Sequence, residues 1–224
     1  TKTADYRVER LFYTRENGVF IDSVREQIDS WYPDNDSPER WILLASLLYQ
    51  AATHANTNGV FKAFHHGFGG FGKDALSRIM APMQLQRPVL IDSEKKAAVS
   101  RADAAVFAAG NPADVCYLDP PYNQHPYGSN YHVLNSIALW DKPEVTLTIS
   151  RGTKSAIRTD WRTERRSAYN YGASALTAYR SLLDALQARY ILTSYSTDGI
   201  IPMEDILHAN TERGGVQLEV REYK

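Results

Sequence analysis

The sequence has little that would staple it, anchor it or charge it strongly. Cys116 is the single cysteine among 224 residues, so no internal disulfide can form and the chain suits a reducing, cytoplasmic setting. No apolar run approaches the roughly 18 residues of a membrane span, and the stretch after Thr1 has no signal-like pattern, so no membrane partner is expected. Charge of one sign is missing as well: Lys and Arg number 25 against 26 Asp and Glu, with an isoelectric point near 6.6. That balance excludes a protein coated in basic surface and leaves any contact with nucleic acid to a local patch. What is present is ample apolar material. At 43% hydrophobic content, 224 residues can bury about 70% of the unfolded surface in one or two cores.

Near the start, Ile21, Val24, Ile28 and Trp31 recur at spacings of three and four and predict one face of a helix, which "PDNDSP" then breaks. Ser37 before Pro38 is a good cap and first position for a second helix, predicted to turn Trp41, Leu44, Ala45, Leu48 and Ala52 inward. Gly67, Gly69, Gly70 and Gly72 invite a phosphate-loop reading. No buried strand leads into them, because "AFHHG" is short and polar, so an ordered loop with close backbone approach is expected instead. His54, His65 and His66 lack a partner at ligand spacing, and no metal is expected.

From residue 88 the pattern becomes α/β. "PVLID", "ADVCYLD", "YILTSYS" and "GGVQLEVREY" read as strands, "ASALTAYRSLLDALQAR" and "PMEDILHAN" as helices, and "SEKKAAVSRADAAVFAA" as helix or loop. Apolar strands covered by helices imply a mainly parallel sheet, in which ligands sit beyond the carboxyl ends of the strands. The expected organisation is a helical and recognition segment over 1–87 followed by an α/β region over 88–224.

Asp119 stands at such a strand end, in "YLDPPYN". Pro120 and Pro121 fix two φ angles and remove two backbone donors, so a ligand amine meets acceptors only. Asp119 adds a carboxylate and Tyr122 a flat ring beside the rigid turn. The set suits a planar heterocycle with an exocyclic NH2. The amine of adenine is a poor nucleophile because its lone pair is delocalised into the ring. Accepting its two hydrogens on Asp119 and the Pro120 carbonyl favours a tetrahedral nitrogen, and such acceptors act most strongly in a dry site. Stacking on Tyr122, worth roughly 1 to 3 kcal/mol, offsets part of the cost of flipping a base from a duplex. On average residue usage, Asp-Pro-Pro-Tyr arises by chance in a chain of this length about once in a thousand.

"DPPY" after such a strand resembles the motif of S-adenosylmethionine-dependent amino methyltransferases, and within them the adenine-N6 DNA methyltransferases. "DVCYLDPPYNQHPYGSNYHVLNSIALWDKPE" is similar to the restriction-modification and phage members of the Dam-related group, and "FYTRENG" and "NTNGVFKAF" are similar to stretches upstream of their target-recognition segment. The resemblance implies a Rossmann-like methyltransferase sheet, present in part, with an N-terminal helical segment. It implies S-adenosylmethionine as cofactor and double-stranded DNA as partner. Asp119, Pro120, Pro121 and Tyr122 would form the catalytic turn, Asp119 also lying against the cofactor. Asp103 would contact the adenosyl part, or be a surface-helix acid. Asn123, Tyr127, Asn130 and Tyr131, with Gly128, would lie in a loop over the target base or DNA, or in a glycine-hinged surface loop. Asn56 and Lys62 fall on the recognition side, near Arg15, Gly59 and Phe61.

The basic stretch "RGTKSAIRTDWRTERR" holds Arg151, Lys154, Arg158, Arg162, Arg165 and Arg166, with Trp161 interleaved. In a near-neutral chain it is the obvious set of phosphate contacts, although a charge run is also how a solvated face reads. One departure from the family stands out. The F-x-G-x-G stretch that holds the methionine end of the cofactor has no counterpart in context, since "FGGFG" follows no strand. The expectation is a carboxyl-terminal catalytic portion, its cofactor-loop half lying on a further segment or a partner chain. The competing expectations are a DNA-binding or subunit-interaction module that is inactive alone, and an amino methyltransferase acting on RNA or on a protein amide.

Overall fold

The computed structural model describes residues 4–144, 158 and 160–222, apart from the side chains of 162 and 163. Among them, no helix is long and apolar enough to cross a membrane. Two compact units form: Thr1–Asp92 with Tyr127–Arg165, and Ser93–Pro126 with Arg166–Lys224. The sequence reading set one boundary at 87/88. The chain in fact returns to the first unit after Pro126, because Val133, Leu134 and Ile137 belong to apolar clusters built by the N-terminal helices.

In the first unit, α1 (Arg15–Trp31) starts where the Thr14 hydroxyl accepts from the Asn17 amide at 3.1 Å. α2 (Pro38–Thr53) starts at Ser37, whose hydroxyl accepts from Arg40 N at 3.4 Å, with Pro38 in the first turn. Ile21, Ile28, Leu47 and Ala51 are buried between these helices and neighbouring segments. The inward stripe differs from the predicted one. Trp31, Trp41, Ala45 and Ala52 are exposed, and the Trp41 indole donates to Asn35 O at 2.7 Å. Polar residues take several inward positions, Arg25, Arg40 and Gln50 among them, so a stripe drawn through apolar residues alone is rotated from the true one.

Arg25 is the most consequential of these, with 1% of its surface exposed. Its guanidinium reaches the end of α6 (His132–Leu139), Nε donating to Ile137 O at 2.8 Å and Nη2 to Ala138 O at 3.3 Å. A cation meeting the last carbonyls of a helix also meets the negative end of its dipole. Nη1 pairs with Asp29, which Arg40 approaches at 2.5 Å as well. Desolvation acts to raise the Asp29 carboxyl, yet the hydrogen bonds from Arg25 and Arg40 hold it below the ordinary range. The glycine segment is a loop, as expected. Gly69 and Gly70 have φ of +86° and +67°, and a Cβ on Gly69 would lie 2.8 Å from Leu76 Cβ at the start of α3 (Leu76–Met80).

In the second unit, β1 (Ala113–Leu118) and β2 (Ala188–Thr193) pair in parallel, from Ala113 opposite Ala188 to Leu118 opposite Thr193. The helix before β2, α8 (Gly172–Ala185), buries Ala175, Tyr179, Leu182 and Leu183 with Leu118, with Ala108 of α4 (Ala104–Gly110) and with Ile206 and Ala209 of α9 (Met203–Thr211). Asn210 Nδ2 donates to the Tyr179 hydroxyl at 2.8 Å, leaving that hydroxyl's own proton for Thr193 Oγ1 at 2.9 Å. The opposite sheet face, Val115, Tyr117, Tyr190 and Leu192, is between 51% and 64% exposed. The strands predicted over 88–92 and 214–223 are irregular over the described residues, and no neighbouring strand there supplies them with ladder bonds. The observed architecture is therefore mixed α/β around a two-stranded parallel sheet, which is coarser than a Rossmann-like sheet.

Replacing Arg25 with Ala should destabilise the protein by about 3 kcal/mol, because buried carbonyls and Asp29 lose a charged donor together. Urea unfolding at neutral pH measures this, and a change under about 0.5 kcal/mol would contradict the role given to Arg25.

Candidate active site

β1 and β2 stay paired to the last residue: Leu118 O accepts from Ser194 N at 2.9 Å, one residue past β2. The chain then enters the two prolines with Asp119 exposed, Pro120 buried and Pro121 half-buried. On the far side, Tyr122 O accepts from Ile200 N at 3.0 Å and Asn123 O accepts from Asn170 Nδ2 at 2.7 Å. Asn123 Oδ1 takes the His125 amide at 3.0 Å, which turns the chain. Ile200 is held in its own right, since Ile201 N donates to the Tyr195 hydroxyl at 3.0 Å. The Tyr195 ring lies so close to Gly199 that a Cβ there would come within 2.2 Å of it. Among the described residues, neither the Asp119 carboxylate nor the Pro120 carbonyl has a hydrogen-bond partner, and the Tyr122 ring is 47% exposed. The turn thus presents a free carboxylate, a free carbonyl and an open aromatic face, and its two prolines add no amide donor.

Asp103 caps α4, its Oδ1 accepting from Ala105 N at 3.0 Å and Val106 N at 3.2 Å, while Oδ2 has no partner among the described residues. An open hollow of about 330 Å³ lies at this helix start, lined by Ala98, Val99, Ser100, Ala102, Ala104 and Phe107.

Among the described residues, the remaining expected ones fall in the first unit, apart from Arg166. α5 (Tyr127–Asn130) is a single turn with Tyr127 and Tyr131 exposed, their rings 5.7 Å apart. Gly128 is buried against α7 (Trp161–Glu164): a Cβ on it would stand 3.3 Å from Arg165 Cβ and 3.6 Å from Trp161 Cβ. Asn130 O accepts from Phe61 N at 2.6 Å, and the Asn130 amide oxygen is buried without a partner among the described residues. His132 Nε2 donates to Phe61 O at 2.8 Å, because a carbonyl can only accept. Both sides of the Phe61 peptide segment therefore grip the 127–132 stretch.

Asn56 requires a correction. Expected on the DNA side, it is fully buried, with Nδ2 donating to Leu11 O at 2.9 Å and His65 O at 3.1 Å and Oδ1 accepting from Gly69 N at 3.1 Å. Its amide ties the Leu11 segment to the loop that holds His65 and Gly69, and its burial keeps it from a ligand. Lys62, next to buried Phe61, is half-buried. Arg158 also differs from a free phosphate contact. It pairs with Asp160 at 2.6 Å and Asp141 at 2.7 Å, and its guanidinium lies 3.8 Å from the centre of the buried Trp161 ring. Arg165 lies 3.7 Å from the same ring, and Arg166 donates to the Tyr171 hydroxyl at 3.0 Å. Arg151 and Lys154 lie outside the described residues, as does the Arg162 side chain.

The sequence reading missed Asn170 and the 194–201 segment. The signal for the latter was available: residues just past the strand that pairs with β1 lie at the same sheet end as Asp119.

Residues 2–195 match the family model of the D12 class N6 adenine-specific DNA methyltransferases, and the chain belongs to that family. It is 32% identical over 220 residues to the Type II methyltransferase M.NlaIII of Neisseria lactamica, covering 96% of this chain and 60% of that protein. It is 30% identical to the Type II methyltransferase M.CviAII of Paramecium bursaria Chlorella virus 1, over all of this chain and 63% of that protein. The Modification methylase StsI of Streptococcus sanguinis is 31% identical over 88% of this chain and 28% of its own length. The chain thus spans about three-fifths of the first two relatives. No solved structure matches it.

Burial holds the His132 imidazole below its ordinary value of 6.5, outweighing the Phe61 carbonyl bond, which acts to raise it. Above about pH 6.5 the group is neutral in folded and unfolded chains alike. Below it, the unfolded chain takes up a proton that the folded chain resists, so stability falls as the pH drops towards the folded value. Urea unfolding from pH 7.5 to pH 5 should show a shallower loss for His132→Gln than for the parent. Identical pH slopes would contradict the assignment.

Proposed function

We propose that this chain carries the catalytic turn of a site-specific methyltransferase that transfers a methyl group from S-adenosylmethionine to N6 of a flipped adenine in double-stranded DNA. The observation that carries this reading is the turn at 119–122, in which the Asp119 carboxylate and the Pro120 carbonyl have no partner among the described residues while the carbonyls of Leu118, Tyr122 and Asn123 are occupied. The Asp119 carboxylate and Pro120 carbonyl accept the two hydrogens of the amine, leaving its lone pair free for the reaction. Tyr122, half exposed on a fixed backbone, stacks on the base. Held acceptors and a held ring supply positioning and electrostatic stabilisation, with no covalent enzyme intermediate.

The hollow at α4 is of a size that suits an adenosyl group, and Asp103, between the lining residues Ala102 and Ala104, offers a carboxylate oxygen beside it. Bound there, S-adenosylmethionine supplies an electrophilic methyl on a sulfonium. Asn123, Tyr127, Asn130, Tyr131 and Lys62 are assigned to the DNA side. Arg151, Lys154, Arg162, Arg165 and Arg166 position phosphates, and Arg158 acts by holding the Trp161 segment. The methionine end of the cofactor is assigned to a further segment or a partner chain. The exposed apolar face of the sheet supports that assignment, because such faces are covered in parallel sheets. We assign it a role in restriction-modification, which accords with the relatives' names, and place it in a bacterial or phage-encoded cytoplasmic protein.

Asp119→Ala and Tyr122→Ala in the complete natural enzyme should each lower the turnover number by on the order of a hundredfold or more, with the melting temperature unchanged. Transfer of labelled methyl groups to duplex DNA measures the rate, and normal turnover in both variants would overturn the reading.

A further inference from the structure

The backbone around the catalytic turn divides into two classes of carbonyl. Those of Leu118, Tyr122 and Asn123 are each taken by a protein donor, whereas that of Pro120 has none among the described residues. Two of the three donors, Ser194 N and Ile200 N, are backbone amides, which a substitution cannot remove without changing the chain. The third is a side chain. Asn170 is 4% exposed, at the end of a short 3₁₀ turn (Ala168–Asn170), and its Nδ2 donates to Asn123 O at 2.7 Å. We propose that Asn170 is a positioning residue for the reaction, fixing the exit of the 119–122 turn so that the Asp119 carboxylate, the Pro120 carbonyl and the Tyr122 ring keep one mutual geometry.

The physical need follows from the prolines. Pro120 and Pro121 fix φ but leave ψ free and donate nothing, so the turn cannot anchor itself through its own amides. It must be held by what donates to its carbonyls. Upstream the ladder with β2 does this, and downstream it falls to Ile200 N and Asn170. The Asn123 side chain is no substitute, because its oxygen is occupied by the His125 amide. Removing the donor of buried Asn170 leaves the half-buried Asn123 carbonyl without its protein partner among the described residues. Asn170 touches neither base nor cofactor in this assignment and acts entirely through Asn123.

The inference rests on the proposed methyl transfer, and its test separates the two. In the complete natural enzyme, Asn170→Asp keeps the shape and removes the donor. Its turnover number should fall by on the order of a hundredfold, as expected for misplacement of about 1 Å, while affinity for target DNA stays within about twofold. Asn170→Ser, which retains a hydroxyl donor, should turn over faster than Asn170→Ala. Failure of Asp119→Ala to abolish transfer would sink the methyltransferase reading itself. With Asp119→Ala inactive, a normal turnover number for Asn170→Asp would overturn this proposal alone. If Asn170→Asp does not fold, equal turnover in the Ser and Ala variants, or a loss of DNA affinity that matches the loss of turnover, overturns it instead.

Discussion

The turn at 119–122 depends on one parallel strand pairing that persists to its final residue. The Leu118 carbonyl and the Ser194 amide close the β1–β2 ladder at the point where Asp119 leaves it. Parallel strands need a crossover, and α8 provides it while burying Tyr179, Leu182 and Leu183 against the same core as Leu118. The carboxylate is therefore placed by a rigid element, while the prolines beyond it remove the donors that would otherwise compete for a ligand amine. Rigidity and an acceptor-only surface come from the same short sequence.

In the first unit the equivalent constraint is polar. Arg25 and Asn56 are buried charged and amide groups that gather carbonyls from distant parts of the chain. An arginine reaching the end of α6 and an asparagine joining the Leu11 segment to the glycine loop each satisfy several backbone groups at once, which apolar residues could not do. Around them the Phe61 segment grips the 127–132 stretch from both its amide and its carbonyl. The loop assigned to the DNA side is thus mounted on well-satisfied backbone, with only Tyr127 and Tyr131 of the 127–132 stretch exposed.

The turn itself was legible because its chemistry is written in adjacent residues: an acid, two prolines and a ring after an apolar run. α8, β2, α9 and the helical hairpin were legible from periodicity. What escaped was whatever depends on a distant partner. Val216, Leu218 and Val220 alternate like a strand, yet no neighbour among the described residues completes a ladder with them, and they are irregular. Trp41 is large and apolar but is exposed, while Arg25 is charged and is buried, so the inward face of the hairpin could not be drawn from hydrophobicity. Asn170 is invisible in sequence for the same reason, since its acceptor lies 47 residues away. The basic stretch read as one uniform patch, although Arg158 is engaged by two aspartates and a tryptophan.

The central claim is that the turn acts on the exocyclic amine of adenine in DNA. It is tested most directly by expressing the complete natural gene in a host without DNA methylation of its own and analysing the nucleosides of its DNA by mass spectrometry. The expected result is N6-methyldeoxyadenosine, absent when Asp119 is replaced by Ala. Methylated cytosine in its place, or N6-methyldeoxyadenosine that persists in the Asp119→Ala strain, would contradict it.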